Sequence, residues 1–139
     1  YGVYYGQSAL PLPAERLYYL TSDTLEDCRV FDYETEQYLP VYDLSAPGGS
    51  DPYEIFLFGS KSLLTVENLN AETDRELIIF RDSFGSSLAP LLASGYKTIT
   101  LVDIRYLAPE RLDRFLTFDG QDVLFLYSTS VLNNSITLK

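Results

Sequence analysis

The stretch that decides the fold is LIIFRDSFGSSLAPLL, residues 77–92. Its first four residues are all apolar, which is typical of a strand buried on both faces of a parallel sheet. Arg81-Asp82-Ser83-Phe84-Gly85 follows, a set of polar and small residues that predicts a tight turn. The sequence therefore predicts a strand that ends at an exposed Asp-Ser turn.

A helix is predicted directly after this turn. Residues 86–94 place Leu88, Leu91 and Leu92 on one helical face, and Gly95 is a residue that commonly ends helices. We expect that leucine face to pack on the sheet.

The rest of the second half repeats the same alternation. Residues 98–102 and 123–127 are apolar runs that predict two further strands, the second one also buried on both faces. Pro109 predicts the start of a second helix, with buried residues Leu112, Phe115 and Leu116. The order β-α-β-α-β with short loops predicts the α/β class, with a flavodoxin-like parallel sheet and helices on both faces.

The first half, residues 1–70, predicts short strands and loops. Residues 29–33 and 39–44 alternate apolar and polar side chains, and 53–58 and 63–66 are short apolar or aromatic runs. We interpret residues 1–139 as a single domain or part of one. A β-rich segment (1–70), rich in tyrosine and acid, would precede the βαβαβ segment (71–139) that carries the Asp-Ser turn.

Composition excludes several functions. The 139 residues hold 20 acidic and 10 basic side chains, and a net charge of -10 disfavours nucleic acid and anionic lipid as partners. No apolar run is long enough to span a membrane. The absence of Met indicates a processed protein or a piece of a longer one. The absence of His removes the Ser-His-Asp and Cys-His catalytic arrangements from the chain itself, and no metal or cofactor site is predicted.

The strongest candidate for chemistry is Ser83, because a serine at a strand-to-helix turn projects its hydroxyl at the edge of the sheet. Asp82 would shape the turn. Gly59 and Ser60 follow residues 53–58 and are candidates for an oxyanion hole, because a glycine lets the backbone approach a ligand. By position alone, ordinary helix capping is the favoured explanation of Asp82 and Ser83, and a simple turn is the favoured explanation of Gly59 and Ser60.

Other polar features favour structural roles. Asp103 and Arg105 follow a strand and predict an ion pair or a cap. The early tyrosines (Tyr1, Tyr4, Tyr5, Tyr18, Tyr19) could stack on sugars or cover a core. The acid-rich segment 23–36 lacks the spacing of a calcium loop and predicts a solvated face.

The second half resembles a known family. Residues 77–92 look like the serine block of the DHHW family, and ITLVDIRY (99–106) and DVLFLY (122–127) continue the similarity in order and spacing. Residues 53–60 resemble that family's strand with a Gly-Gly-Asn-like turn. These bacterial proteins are similar to the SGNH-like O-acetyltransferases that modify exopolysaccharides such as alginate. The resemblance implies an SGNH-type sheet, and a location in the cell envelope or outside the cell.

The resemblance also implies roles for individual residues. Ser83 matches the nucleophile, the N–H groups of Ser83 and Gly59 match oxyanion donors, and Ser60 stands where an Asn donor is often found. The family's base belongs to an Asp-His-His-Trp motif upstream of the serine, which this chain lacks. The implied function is therefore the serine-bearing part of an O-acyltransferase or esterase acting on an acyl-bearing glycan or a small ester, inactive alone and without a cofactor.

Two other functions stay open at this point. The first is a non-catalytic glycan-binding or envelope-assembly domain with the same fold, which the missing His and the early tyrosines favour. The second is a flavodoxin-like phosphate or nucleotide binder that uses the turn before Ser86, which the net charge and the lack of a Gly-rich loop disfavour.

Overall fold

A computed structural model describes residues 13, 16–49, 51–134 and 136 of the chain. Six strands form one mixed sheet in the order β2-β1-β3-β5-β4-β6. The strands are β1 (Cys28–Asp32), β2 (Gln37–Leu39), β3 (Leu63–Asn68), β4 (Glu76–Arg81), β5 (Thr98–Val102) and β6 (Asp122–Leu126). The α/β class predicted from the sequence is confirmed.

The parallel part of the sheet comes from the second half of the chain. β4 lies between β5 and β6 and pairs parallel with both, so that Leu77 faces Ile99 on one side and Asp122 on the other. All four residues 77–80 are buried, as the continuous apolar run predicts. The carboxyl end of β4 therefore opens between the two neighbouring strand ends, which is where ligands bind in open α/β sheets.

The three strands of the βαβαβ segment are parallel as predicted, but the strands of the first half make the whole sheet mixed. β3 pairs antiparallel with β5, and β1 pairs antiparallel with both β3 and β2. The strands of both halves thus join one sheet instead of forming separate layers. Short connections explain the geometry, because the hairpin turn 33–36 between β1 and β2 can only return the chain antiparallel.

Residues 53–58 do not form the predicted strand. Pro52–Ile55 is a 3-10 turn that begins at Asp51, whose carboxylate accepts a hydrogen bond from the N–H of Tyr53 at 3.0 Å. Only an isolated bridge between Tyr42 and Phe56 has strand character. Proline at the first helical position and an aspartate cap favour the turn over the aromatic run's strand propensity. The predicted strand 39–44 is also wrong, because β2 ends at Leu39 and only the isolated bridge at Tyr42 follows it.

The helices are shorter than predicted. Three α-helical turns are present in the described residues: α1 (Asp23–Glu26), α2 (Gly85–Leu88) and α3 (Thr129–Asn133). The predicted helix 86–94 is α2 followed by the 3-10 segment Ala89–Gly95, which does end at the predicted glycine.

The side chains that pack under this segment also differ from the prediction. Leu88 and Leu91 are exposed, and Ala89, Pro90 and Ala93 are buried in their place. Pro90 has no N–H to continue an α-helix from α2, and the tighter 3-10 turn leaves Leu91 exposed, while Leu92 is partly buried against the core as predicted.

The second predicted helix is a 3-10 segment, Pro109–Arg114, and it does begin at Pro109. Leu112 and Leu116 pack against the sheet, but Phe115 stays exposed and contacts Tyr33 edge-on, with ring centroids 5.7 Å apart. None of the helices in the described part of the chain has the length and apolar character needed to cross a membrane.

Both faces of the central sheet are covered. On one face, Leu77, Ile79 and Leu101 pack against Ala89 and Ala93. Both alanines belong to the first crossover, the segment between β4 and β5. On the opposite face, a second set of side chains packs together, including one from the second crossover, the segment between β5 and β6. The set is Leu63, Ile78, Phe80, Val102 and Leu107. The predicted burial of β6 on both faces is wrong, since β6 is an edge strand whose Val123 and Phe125 are 45% and 68% exposed. Because side chains cover both faces of the central sheet, the carboxyl end of β4 is held in a fixed position.

Candidate functional site

The Asp-Ser turn, residues 81–85, follows β4 directly and is built by Asp82. This side chain is 1% exposed. One of its carboxylate oxygens accepts the N–H of Phe84 at 3.0 Å, and the other accepts the N–H of Ser128 at 2.6 Å. Asp82 thereby joins the ends of β4 and β6, and both of its oxygens are engaged in positioning the turn.

Ser83 lies half-buried at the tip of the turn. Its carbonyl accepts the N–H of Ser86 at 3.1 Å. Among the described residues, neither the hydroxyl nor the N–H of Ser83 has a hydrogen-bond partner. The turn therefore holds the Ser83 backbone while leaving the two groups that would attack and stabilise an acyl carbonyl unengaged.

Tyr53, which belongs to the first half of the chain, contacts the turn and supports it. Its hydroxyl lies within donating distance of three acceptors: the carbonyls of Ser83 (3.2 Å) and Phe84 (3.3 Å) and the hydroxyl of Ser87 (2.9 Å). The ring also contacts Phe84 edge-on, with centroids 6.5 Å apart. Sequence reasoning assigned Tyr53 to a strand and missed this contact, because the two residues are 30 positions apart.

Gly59 and Ser60, the predicted oxyanion residues, lie in loop 57–62. Leu57, Phe58 and Gly59 all have positive φ, at 54°, 60° and 82°. Such values are costly for Leu and Phe, and strained backbone of this kind clusters at functional sites. The N–H of Gly59 donates to the carbonyl of Phe56 at 3.3 Å, and Ser60 is exposed. The oxyanion roles of Gly59 and Ser60 stay predictions.

Two acids hold loop 57–62 in place. Asp32, at the end of β1, is fully buried and lies 3.0 Å from the ammonium of Lys61. Glu34 accepts both the N–H and the hydroxyl of Ser62, at 3.0 and 2.9 Å. The prediction that segment 23–36 is a solvated face is therefore wrong at Asp32, which is buried and holds the loop through its contact with Lys61.

The electrostatics of this anchor favour its charged form. Burial raises the pKa of Asp32, but hydrogen bonds from Lys61, from the N–H of Glu34 and from the hydroxyl of Thr35 outweigh burial, and the pKa lies below its ordinary value. The same contact with Asp32 raises the pKa of Lys61 against the opposing effect of burial. The ion pair is thus present across the neutral pH range.

The predicted ion pair at the end of β5 is confirmed. Asp103 is buried and accepts two side-chain hydrogen bonds from Arg105, at 2.9 and 2.6 Å, and a third from its N–H. The N–H of Asp103 in turn donates to the carbonyl of Ser62 at 2.9 Å. This pair ties the end of β5 to loop 57–62.

Unsatisfied polar atoms concentrate at the same edge of the sheet. In the described part of the chain, three buried side-chain atoms have no hydrogen-bond partner: Nε of Arg81, Oγ of Ser86 and the hydroxyl of Tyr127. Burial and then the charge of Asp103 raise the pKa of the Tyr127 hydroxyl. Each such atom costs stability where it stays unpaired, and all three belong to residues on or beside the Asp-Ser turn or directly after β6.

The remaining candidates contribute little to this edge. Tyr18 is exposed, and Tyr19 packs on Tyr42 with ring centroids 5.0 Å apart, while Tyr1, Tyr4 and Tyr5 lie outside the described residues. No group of three or more His, Cys, Asp or Glu side chains within residues 16–49 and 51–134 is arranged to hold a metal ion.

Comparison with known proteins gives structural neighbours alone, since no protein-family model and no curated protein matches the chain. A DHHW family protein from Eubacterium siraeum is 27% identical with a TM-score of 0.53, over 76% of this chain and 36% of that one. Bacillus cereus PatB1 is 20% identical over 76% of this chain. Its TM-score is 0.56, or 0.53 for a form with a sulfonyl adduct, and the match spans 36% or 38% of PatB1.

These neighbours confirm the resemblance to the DHHW family that the sequence predicts. The matched region spans little more than a third of each neighbour's length. The PatB1 likeness supports the fold.

Proposed function

We propose that this chain is the serine-bearing part of an acyltransferase-like protein and that Ser83 is its nucleophile. The observation that carries the proposal is the Asp-Ser turn at the carboxyl end of β4. Asp82 and Tyr53 fix its backbone there, and the hydroxyl and N–H of Ser83 have no partner among the described residues. The structural neighbours lend support, because the E. siraeum protein is of the DHHW family and one of the PatB1 structures carries a sulfonyl adduct.

The proposed chemistry is acyl transfer through an ester of Ser83. The Ser83 oxygen attacks the carbonyl carbon of an acyl ester and passes its proton to a base. The tetrahedral oxyanion then collapses, and the leaving alcohol takes that proton back from the base. An acceptor hydroxyl, or water in an esterase, then attacks the acyl-serine and regenerates Ser83. We propose an acylated bacterial glycan of the envelope or exterior as the substrate class.

The base is proposed to come from outside these 139 residues. The sequence holds no His, and an unassisted serine hydroxyl is a weak nucleophile. The family resemblance implies a His from the upstream Asp-His-His-Trp motif. The N–H of Ser83, which has no partner among the described residues, would be the first oxyanion donor, and loop 57–62 would supply the second.

The test is covalent labelling followed by intact mass spectrometry. The full-length protein, with the upstream His, is treated with a fluorophosphonate, and the chain of residues 1–139 is treated in parallel. We expect one adduct on the full-length protein, none on its Ser83→Ala variant, and none on the isolated chain. Ser94→Ala, an exposed serine at the far end of the first crossover, is the matched control and should label like the wild type.

The opposite outcome is equally informative. Absence of an adduct on a folded full-length protein, or labelling that survives Ser83→Ala, would show that Ser83 is not an activated nucleophile. The turn would then be a helix cap, and the non-catalytic glycan-binding function would take its place.

A further inference from the structure

Arg81, the last residue of β4, runs beneath the Asp-Ser turn and contacts loop 57–62. Its side chain is fully buried. One terminal nitrogen donates to the carbonyl of Asp82 at 3.3 Å, and the other donates to the carbonyl of Lys61 at 3.2 Å. A single guanidinium thus bridges the backbone beside the proposed nucleophile and the backbone beside the proposed oxyanion loop.

Gly85 makes room for this arrangement. A Cβ at position 85 would lie 2.7, 3.0 and 3.2 Å from Cβ, Cγ and Cδ of Arg81. The φ of Gly85 is not in the positive region, so the backbone alone does not demand glycine there. The space taken by the Arg81 stem is therefore the physical reason for a glycine at this position.

Stability alone does not account for a charge in this place. Among the described residues, no carboxylate lies within ion-pair distance of Arg81, since Asp103 is paired with Arg105. Burial lowers the pKa of the Arg81 guanidinium, and the nearby charge of Asp103 opposes that effect. A buried cation whose bonds go to two carbonyls and whose Nε has no partner costs more than an apolar side chain of similar size.

We propose that Arg81 is a positioning residue that holds the Asp-Ser turn and loop 57–62 at a fixed separation. Its planar guanidinium, with donors in a rigid fork, sets the distance between the two carbonyls in a way that a flexible ammonium cannot. Ser83 and the oxyanion loop then face the same acyl carbonyl without rearrangement. This inference rests on the proposed function.

The test compares four variants of the full-length protein by their rates of fluorophosphonate labelling at Ser83. Arg81→Met removes both bridging donors, and Arg81→Lys keeps the charge without the fork. Gly85→Ala displaces the Arg81 stem, and Gly95→Ala is its matched control, because a Cβ at position 95 meets nothing within 4 Å. We expect Arg81→Met to slow labelling about 10- to 100-fold, the cost of a misplacement near 1 Å. Gly85→Ala should slow it in the same direction, Arg81→Lys should recover part of the loss, and Gly95→Ala should change nothing.

A second measurement separates positioning from general loss of stability. Leu101→Ala removes a buried side chain of β5 and destabilises the fold without touching the bridge. At a temperature where every variant is folded, it should label at the wild-type rate. Amide hydrogen exchange should rise in Arg81→Met at both the Asp-Ser turn and loop 57–62, and it should rise at neither in Gly95→Ala.

The outcomes distinguish the two proposals. If Arg81→Met labels like the wild type while Ser83→Ala is unlabelled, Arg81 is not a positioning residue and the proposed function stands. If no protein is labelled, the proposed function fails, and hydrogen exchange becomes the only test of the bridge. In that case, exchange in Arg81→Met that is unchanged at either the Asp-Ser turn or loop 57–62 overturns the bridge. If Arg81→Met does not fold, Arg81→Lys and Gly85→Ala decide it, and wild-type rates and exchange in both would overturn the proposal.

Discussion

Replacing Asp32 with Asn tests whether the acid-rich segment anchors loop 57–62. The Asp32 carboxylate is fully buried and accepts from the ammonium of Lys61 at 3.0 Å, the N–H of Glu34 at 2.9 Å and the hydroxyl of Thr35 at 3.1 Å. An amide keeps the size and one acceptor oxygen, but it loses the charge. Water cannot reach the Asp32 side chain itself, which is fully buried, although Lys61 is partly exposed.

The expected loss is one charge-assisted hydrogen bond in a buried setting, about 2 kcal/mol in the free energy of unfolding. Lys61 limits the cost, because its side chain is 20% exposed and Glu34 lies 3.5 Å away as an alternative partner. Urea unfolding of residues 1–139 at pH 7, followed by tyrosine fluorescence, measures the change.

The pH dependence supplies the sharper assay. The pKa of Asp32 is lowered in the folded protein, so its stabilising contribution is complete above the unfolded value of about 3.9. That contribution is lost as the pH falls through the lower folded pKa. The stability difference between wild type and Asp32→Asn should therefore be greatest at pH 6–7 and should shrink progressively below pH 4.

The matched control is Asp74→Asn, which breaks a surface pair with Lys97 whose side chains are 94% and 54% exposed. Exposed pairs contribute little, and no measurable change is expected at pH 7. Equal effects of the two substitutions, or a difference for Asp32→Asn that stays constant from pH 7 to pH 3, would refute the buried anchor.

Three further predictions concern residues outside this anchor. Tyr53→Phe removes the hydroxyl that supports the Asp-Ser turn and should cost about 1 kcal/mol in urea unfolding, whereas Tyr38→Phe, with an exposed hydroxyl contact, should cost less. Leu101→Ala should cost about 2–5 kcal/mol because its side chain is fully buried, and an equal effect of Leu69→Ala, which is 58% exposed, would contradict this core assignment. Cys28 should react slowly with a thiol reagent at pH 8 and quickly in 8 M urea, because burial and then Asp27 raise the pKa of its thiol; fast reaction in the folded state would disprove its burial.

The elements predicted correctly from the sequence are those whose pattern is local and strong. β4 and β5 lie where the apolar runs place them, and Pro109 and Gly95 mark the ends of their segments. The pattern could not reveal that 53–58 turns instead of extending. The aromatic residues of 53–58 fit a strand, and they fit equally well a turn that packs one face against a core. The Asp51-Pro52 cap favours the turn.

The candidate site was predictable only in part, for a physical reason. Ser83 and Asp82 follow from the turn itself, which is local in sequence. The groups that hold the turn come from positions 30 and 46 residues away: the hydroxyl of Tyr53 contacts the carbonyl of Ser83, and the N–H of Ser128 donates to Asp82. One signal was available, because an arginine at the end of a buried apolar run predicts a buried cation. Arg81 could have been singled out on that ground.

Several features that cost stability lie at the edge of the sheet that carries the Asp-Ser turn. Their shared position is our reason to regard this edge as functional. Leu57 and Phe58 adopt positive φ, a fully buried Arg81 has no carboxylate partner among the described residues, and the hydroxyl of Tyr127 is buried without a hydrogen bond. Each of these costs stability, and a fold selected for stability alone would distribute or remove them. Arg81 ends β4 beside Ser83, Tyr127 directly follows the neighbouring strand β6, and Arg81 donates to the carbonyl of Lys61 in the loop that carries Leu57 and Phe58. Strain in loop 57–62 is sustained because Asp32, Glu34 and Asp103 hold that loop from three directions. The surrounding fold therefore stabilises an arrangement that the local sequence disfavours, as the proposed acyl-transfer site would require.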